Sequence, residues 1–122
     1  MDELDERLNL LQTCGFVDET GREDLESIVR VLTQEYGVSR DSELLGTLVT
    51  HVAAAMKRVR EGEEVNPLSE EVLNDVYESA VYANARHIQQ EILSQMNCKL
   101  PAAEEDFLLV HIGGLLLAQE NE

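Results

Sequence analysis

Residues 41–60 have the sequence DSELLGTLVTHVAAAMKRVR, in which apolar side chains recur at the spacing of one side of a helix. These apolar positions are Leu45, Leu48, Val52, Ala55, Met56 and Val59. Gly62 follows the stretch and is suited to the left-handed residue that ends many helices. The pattern predicts a helix from about Asp41 to Arg60 with one broad side in a core.

Four further helices are predicted around this one. A short helix spans about Leu4 to Leu11, and a second begins at the capping-box spacing of Thr20 and Glu23 and ends near Gly37. A long helix capped by Ser69 continues to about Met96, and the last runs from Pro101 to about Gln119. Strand alternation, internal repeats and linkers are absent from the sequence. We therefore predict an all-α protein, a compact five-helix bundle forming one domain over residues 1–122 with its core at about 22–117.

The chain is strongly acidic, with 25 acidic and 9 basic residues and a formal net charge of −16. Direct binding to nucleic acid is not expected, because its phosphates require clustered Lys and Arg. The longest apolar run, residues 107–118, is shorter than the roughly 20 residues needed to cross a bilayer, so no membrane segment is expected. Two cysteines and an acidic start without a secretory leader favour a cytoplasmic location.

Two histidines lie on apolar sides of predicted helices. His51 is flanked by Leu48 and Ala55, so we expect a half-buried, neutral ring with a nucleophilic nitrogen. Arg58 lies two turns further along and could pair with a phosphate or a carboxylate. Taken alone, such a histidine is more often a core residue that packs without further function. His87 lies on a mixed face and is assigned no function.

His111 repeats the arrangement on the last helix, between Leu108 and Leu115. Gly113 and Gly114 follow it, and each glycine costs a helix about 1 kcal/mol relative to alanine. Their presence predicts the close approach of another helix beside His111. That contact is either internal packing or a seam between two copies, and spacing does not separate the two.

Motifs for autonomous catalysis or metal binding are absent. The histidines and cysteines lack the spacing of zinc ligands, and no cofactor-binding loop or nucleophile elbow is present. A small enzyme using Glu104 and Asp106 is a weaker alternative, because side chains two residues apart diverge on a helix. We therefore expect neither an enzyme nor a resident cofactor or metal.

Two segments of the chain resemble the phosphotransferase-system regulation domain. The first combines His51 with Arg58 and the sequence Asn66-Pro67-Leu68, and the second combines Leu100-Pro101, Glu104, Phe107 and His111. The resemblance covers roughly residues 22 to 117, in one copy. It implies a five-helix bundle whose phosphoacceptors, His51 and His111, take phosphate from the sugar-transport phosphorelay.

The resemblance implies a cytoplasmic regulatory module, usually found beside nucleic-acid-binding modules that are missing here. The expected partners are a phosphocarrier or transport subunit of the phosphotransferase system, a larger transcriptional regulator and a second copy in a homodimer. The alternative is a helical adaptor or dimerisation protein that acts on a larger regulator without phosphorylation. The two hypotheses differ on whether the imidazoles are reachable and close to each other or to an arginine, or are sealed and hydrogen-bonded.

Overall fold

The computed structural model describes residues 2–120, and all regular structure in that part of the chain is helical. Its elements, in chain order, are α1 (Glu3–Thr13), α2 (Glu19–Arg30), a π-helical turn (Val31–Glu35), α3 (Glu43–Glu61), α4 (Glu70–Glu78), α5 (Tyr82–Gln95) and α6 (Ala102–Glu120). The described part thus contains six α-helices where the sequence predicted five.

The predicted long fourth helix is wrong, because the chain breaks it into α4 and α5. Ser79 adopts an extended backbone with a ψ of 143°, and its hydroxyl accepts a hydrogen bond from the Val81 N–H at 3.3 Å. This local bond offers the backbone an alternative to the helical pattern, as serine often does. The apolar spacing continues across the break, so periodicity alone did not reveal it.

Short polar side chains start four of the helices. Asp2, Asp18, Ser42 and Ser69 each accept a hydrogen bond from the backbone N–H three residues later. Such bonds satisfy amides that have no partner inside the helix. The predicted capping box at Thr20 is therefore wrong: Asp18 caps α2, and its carboxylate accepts from the Gly21 N–H at 2.8 Å.

Helix α3 lies at the centre of the bundle. It packs against α1, α2 and α6, while α5 packs against α2 and α6. The core between these helices is almost entirely aliphatic, and its most deeply buried members include Leu25, Ile28, Leu32, Leu45, Val49, Ala53, Ile88 and Ile112. In contrast, α4 fully buries none of its residues and packs mainly against α5 and α6. The core therefore fixes the position of α3 relative to α6.

A buried carboxylate fixes the loop that leads into α6. Asp24 is 0% exposed and accepts hydrogen bonds from the Asn97 N–H at 2.7 Å, the Asn97 side-chain amide at 3.0 Å and the Cys98 N–H at 2.9 Å. These bonds join α2 to the connection between α5 and α6. They hold the start of α6, and hence His111, in a defined place relative to the core.

No helix in the described part of the chain is long and apolar enough to cross a membrane.

Candidate functional site

The two predicted histidines meet at the contact between α3 and α6. Their ring centroids are 4.4 Å apart, and the ring planes differ by 24°, so the imidazoles are stacked. His51 follows the buried Leu48 on α3, and His111 lies between the buried Leu108 and Leu115 on α6. The packing of these leucines in the core brings together two rings that are distant in sequence.

The stacked rings are reachable from solvent to different extents. His111 is half-buried, whereas His51 is exposed. The expectation of a half-buried His51 is therefore wrong: Leu48 and Ala55 are buried, but the His51 side chain is exposed and stacks on His111. Within residues 2–120, neither ring is hydrogen-bonded to a side chain or to the backbone, so its nitrogens are not engaged by the protein.

Burial lowers the pKa of His111 below its ordinary value of 6.5, and the nearby His51 ring lowers it further through charge repulsion. The His111 ring is therefore neutral at neutral pH. A neutral imidazole retains a free nitrogen lone pair, which a nucleophile needs and an imidazolium lacks.

Two turns along α3 from His51, Arg58 forms a bidentate ion pair with Glu104 of α6. Its Nε donates to one carboxylate oxygen at 2.8 Å and its Nη2 to the other at 2.9 Å. The Glu104 side chain is 4% exposed and that of Arg58 31%. Hydrogen bonding to Glu104 is the main cause that raises the pKa of Arg58, so the guanidinium is always charged. Among the described residues nothing accepts from Nη1, which points to a donor still available at the cleft.

An open cleft connects the histidine pair to the ion pair. Its volume is ≈ 450 Å³. Apart from the two histidines, Arg58 and Glu104, its lining is apolar: Val52, Ala55, Val65, Leu68, Leu100, Phe107, Leu108 and Val110. An apolar wall with a few convergent polar groups is typical of binding sites. The cleft places the one lining cation, Arg58, on the same surface as both imidazoles.

The sequence reasoning counted Glu104 in the family motif and weighed it as a possible catalytic carboxylate beside Asp106, but missed its ion pair with Arg58. A usable signal was present. Arg58 lies seven residues after His51, and Glu104 lies seven residues before His111. On antiparallel helices that meet at the histidines, both offsets lead two turns, or about 10 Å, towards the same end. The paired spacing could therefore have predicted this ion pair.

Within residues 2–120, no group of three His, Cys, Asp or Glu side chains is placed to hold a metal ion. His87, which was assigned no function, is exposed on α5 and lies outside the cleft.

The lowered pKa of His111 predicts a pH-dependent stability. Since the folded chain binds this proton more weakly than the unfolded chain, the contribution is complete above about pH 6.5 and is lost as the pH falls through the lower, folded-state pKa. The urea midpoint of the wild type should therefore decrease as the pH falls through this window. His111→Gln should show a weaker decrease, while the exposed control His87→Gln should keep the wild-type slope. Equal slopes for all three proteins would contradict the shifted pKa.

One family model matches most of the chain. The model of the PRD domain matches residues 26–115, in a single copy. YhfY, an uncharacterized protein of Escherichia coli (strain K12), is 31% identical over 119 residues, which cover 98% of this chain and 99% of the relative. An uncharacterized protein of Haemophilus influenzae (strain ATCC 51907 / DSM 11121 / KW20 / Rd) is 27% identical over 74 residues, covering 61% of this chain and 59% of the relative. No solved structure matches. The chain therefore belongs to the PRD family, the phosphotransferase-system regulation domains.

Proposed function

We propose that this protein is a regulatory domain of the bacterial sugar phosphotransferase system that accepts a phosphoryl group on its stacked histidine pair. The observation that carries the proposal is the 4.4 Å contact between His51 and His111, two rings that the fold leaves reachable and free of hydrogen bonds. A histidine that served only in packing would be sealed in the core and would have its nitrogens satisfied by neighbours.

We propose His51 as the principal acceptor, because its exposed ring is open to a phosphorylated donor protein. An unprotonated ring nitrogen of His51 attacks the phosphorus, and the bond from phosphorus to the donor's histidine breaks as the new bond forms. When each ring keeps the N–H on its other nitrogen, no proton is gained or lost. Stacking on His111 limits the rotation of the His51 ring and holds it ready for in-line attack.

Arg58 is proposed to stabilise the phosphorylated state. A phosphoryl group adds about −1.5 to −2 charge at neutral pH, which is unfavourable in a chain of net charge −16. Glu104 holds the guanidinium at the cleft through Nε and Nη2, leaving Nη1 to donate to phosphate. The protein thus supplies position and charge stabilisation while the donor supplies the reactive group, so we place it among phosphoacceptors and not among enzymes.

The proposed partners follow from this chemistry. The donor is a phosphocarrier or a transport subunit of the phosphotransferase system, and the regulated target is a larger transcriptional regulator or a transport protein in the cytoplasm. A homodimer is a further proposal, in which the added charge would weaken association between two acidic copies.

One observation favours the alternative, a helical adaptor that acts without phosphorylation. Arg58 already forms its strongest interactions with the buried Glu104, so the pair would be stable in a protein that never carries phosphate. In that case α3 and α6 would serve only to present a fixed surface to a larger regulator.

Intact-mass measurement separates the two functions. The full chain is incubated with phosphoenolpyruvate, the general transport kinase and the histidine phosphocarrier, and is analysed under alkaline conditions that preserve phosphohistidine. We expect one phosphate per chain and not two, because rings in contact would bring two doubly charged groups together. No incorporation, with a known acceptor labelled in the same tube and with a transport subunit also tried as donor, would favour the adaptor.

A further inference from the structure

A second concave surface lies between α4, the start of α5 and α6. This groove has a volume of ≈ 280 Å³, and its walls are mainly apolar, with contributions from Val72, Val76, Val81, Tyr82, Val110 and Leu117. Val72 is 39% exposed and Leu117 44% exposed. Helix α4 fully buries none of its residues: Val76 packs partly against the core, while Val72 and Tyr77 remain exposed. The groove is thus an apolar surface without an internal partner.

Two glycines in the groove have no internal explanation. Gly113 and Gly114 lie inside α6 and line the groove, yet a Cβ atom added at either would meet nothing within 4 Å. The predicted close approach of another helix is therefore not made within the described residues. Each glycine lowers the folding equilibrium constant by about fivefold relative to alanine in a helix. The two glycines leave the backbone of α6 accessible to a helix of another molecule.

The charges around the groove are of one sign. Glu71, Asp75 and Glu78 occupy positions i, i+4 and i+7 of α4 and are all exposed. Asp75 is itself part of the groove wall. Residues 61–85 and 100–122 contain neither lysine nor arginine. A second copy of this chain would bring the same acidic rim to the contact, whereas a basic segment would complement it.

We propose that this groove is the docking site of a basic amphipathic helix from a partner protein. The apolar stripe of that helix lies over Gly113 and Gly114, and lysines or arginines beside the stripe face Glu71, Asp75 and Glu78. Such helix-in-groove binding uses apolar anchors at helical spacing, with charges selecting the partner. The proposal does not depend on phosphorylation. It does connect the two surfaces, because Val110 lines both the groove and the histidine cleft.

The probe is a synthetic helical peptide with leucine on one side and lysine on the other, titrated into the isotope-labelled full chain. We expect backbone shift changes centred on Val72, Val110, Gly113 and Gly114, weakening as salt is added. A peptide with glutamate in place of lysine should give none. Gly114→Leu places a side chain in the groove at a position where an added Cβ meets nothing within 4 Å, so it should keep the helical spectrum and weaken binding by about tenfold or more.

A matched pair of charge variants separates a specific site from general attraction. Glu71→Gln, Asp75→Asn and Glu78→Gln together should weaken binding strongly. Glu6→Gln, Glu19→Gln and Glu23→Gln, which remove the same charge from exposed positions on other helices, should weaken it little. Equal weakening by both triple variants, or shift changes on other faces, would overturn the proposal. Sedimentation that shows a dimer dissociated by Gly114→Leu and unaffected by the peptide would instead assign the groove to a second copy.

Discussion

Replacement of His51 by alanine is expected to lower the initial rate of phosphate incorporation by roughly 100-fold or more, because it removes the proposed nucleophile. His111→Ala should have a smaller effect, about tenfold, since it removes the stacking that orients the His51 ring. The chain that lacks both histidines should incorporate nothing. The measurement is the time course of intact mass with the phosphoenolpyruvate-driven donor system at a fixed, limiting concentration of phosphocarrier.

His87→Ala is the matched control, because it removes an exposed imidazole outside the cleft and should keep the wild-type rate. Circular dichroism spectra of all variants should be alike, as neither histidine of the pair is fully buried. If His51→Ala retains the wild-type rate and His111→Ala loses it, the two roles are reversed. Full incorporation in the double variant would show that phosphate goes elsewhere in the chain.

Asp24→Ala is expected to cause the largest loss of stability, a decrease of about 3 kcal/mol in the free energy of unfolding. The carboxylate is fully buried and accepts three hydrogen bonds from Asn97 and Cys98. Its removal leaves the backbone N–H groups of Asn97 and Cys98 without this acceptor and leaves a small cavity at the buried position. Urea unfolding of the variant and the wild type at neutral pH measures the difference.

The control for this substitution is Asp75→Ala, which removes an exposed aspartate from α4 and should change the unfolding free energy by no more than about 0.5 kcal/mol. Asp24→Asn should fall between the two, because one oxygen acceptor remains while the amide nitrogen faces an N–H donor. A midpoint for Asp24→Ala equal to that of Asp75→Ala would mean that the loop before α6 is held by its other contacts alone.

Periodicity and terminal residues predicted the first, third and last helices closely. The expected spans at Leu4–Leu11, Asp41–Arg60 and Pro101–Gln119 correspond to α1, α3 and α6. These helices combine a continuous apolar side with clear signals at their ends, and Gly62 does end α3 in the left-handed conformation. For these three helices, apolar spacing and end signals in the sequence were enough to predict the span.

The errors arose where tertiary contacts decide the outcome. Between α4 and α5, the Ser79 hydroxyl accepts a bond from the Val81 N–H, a local contact that the nearly continuous apolar spacing of the two helices does not reveal. The exposure of His51 depends on how α6 packs against α3, and the apolar spacing within α3 alone does not predict that packing. Asp24 looks like a surface residue of an acidic helix in the sequence, and only the loop at Asn97 explains its burial.

The candidate site was predictable in its members and not in its geometry. Residue types and their spacing in the sequence pointed to His51, His111 and Arg58. Prediction of the contact between the two rings would have required the relative positions of α3 and α6. Glu104 completes the site as the carboxylate that holds Arg58. An acidic residue in the first turn of a helix is usually exposed, whereas Glu104 is 4% exposed.

The order of synthesis also determines when the contact between His51 and His111 can form. One ring lies near the middle of the chain and the other on α6, so a ribosome-bound chain exposes the first long before the second. Contacts between such distant residues form only after the intervening segment has been ordered. A nascent chain therefore presents a lone imidazole without its companion. Under the proposed function, a donor would meet the assembled pair only on chains whose α6 has been translated and docked against α3.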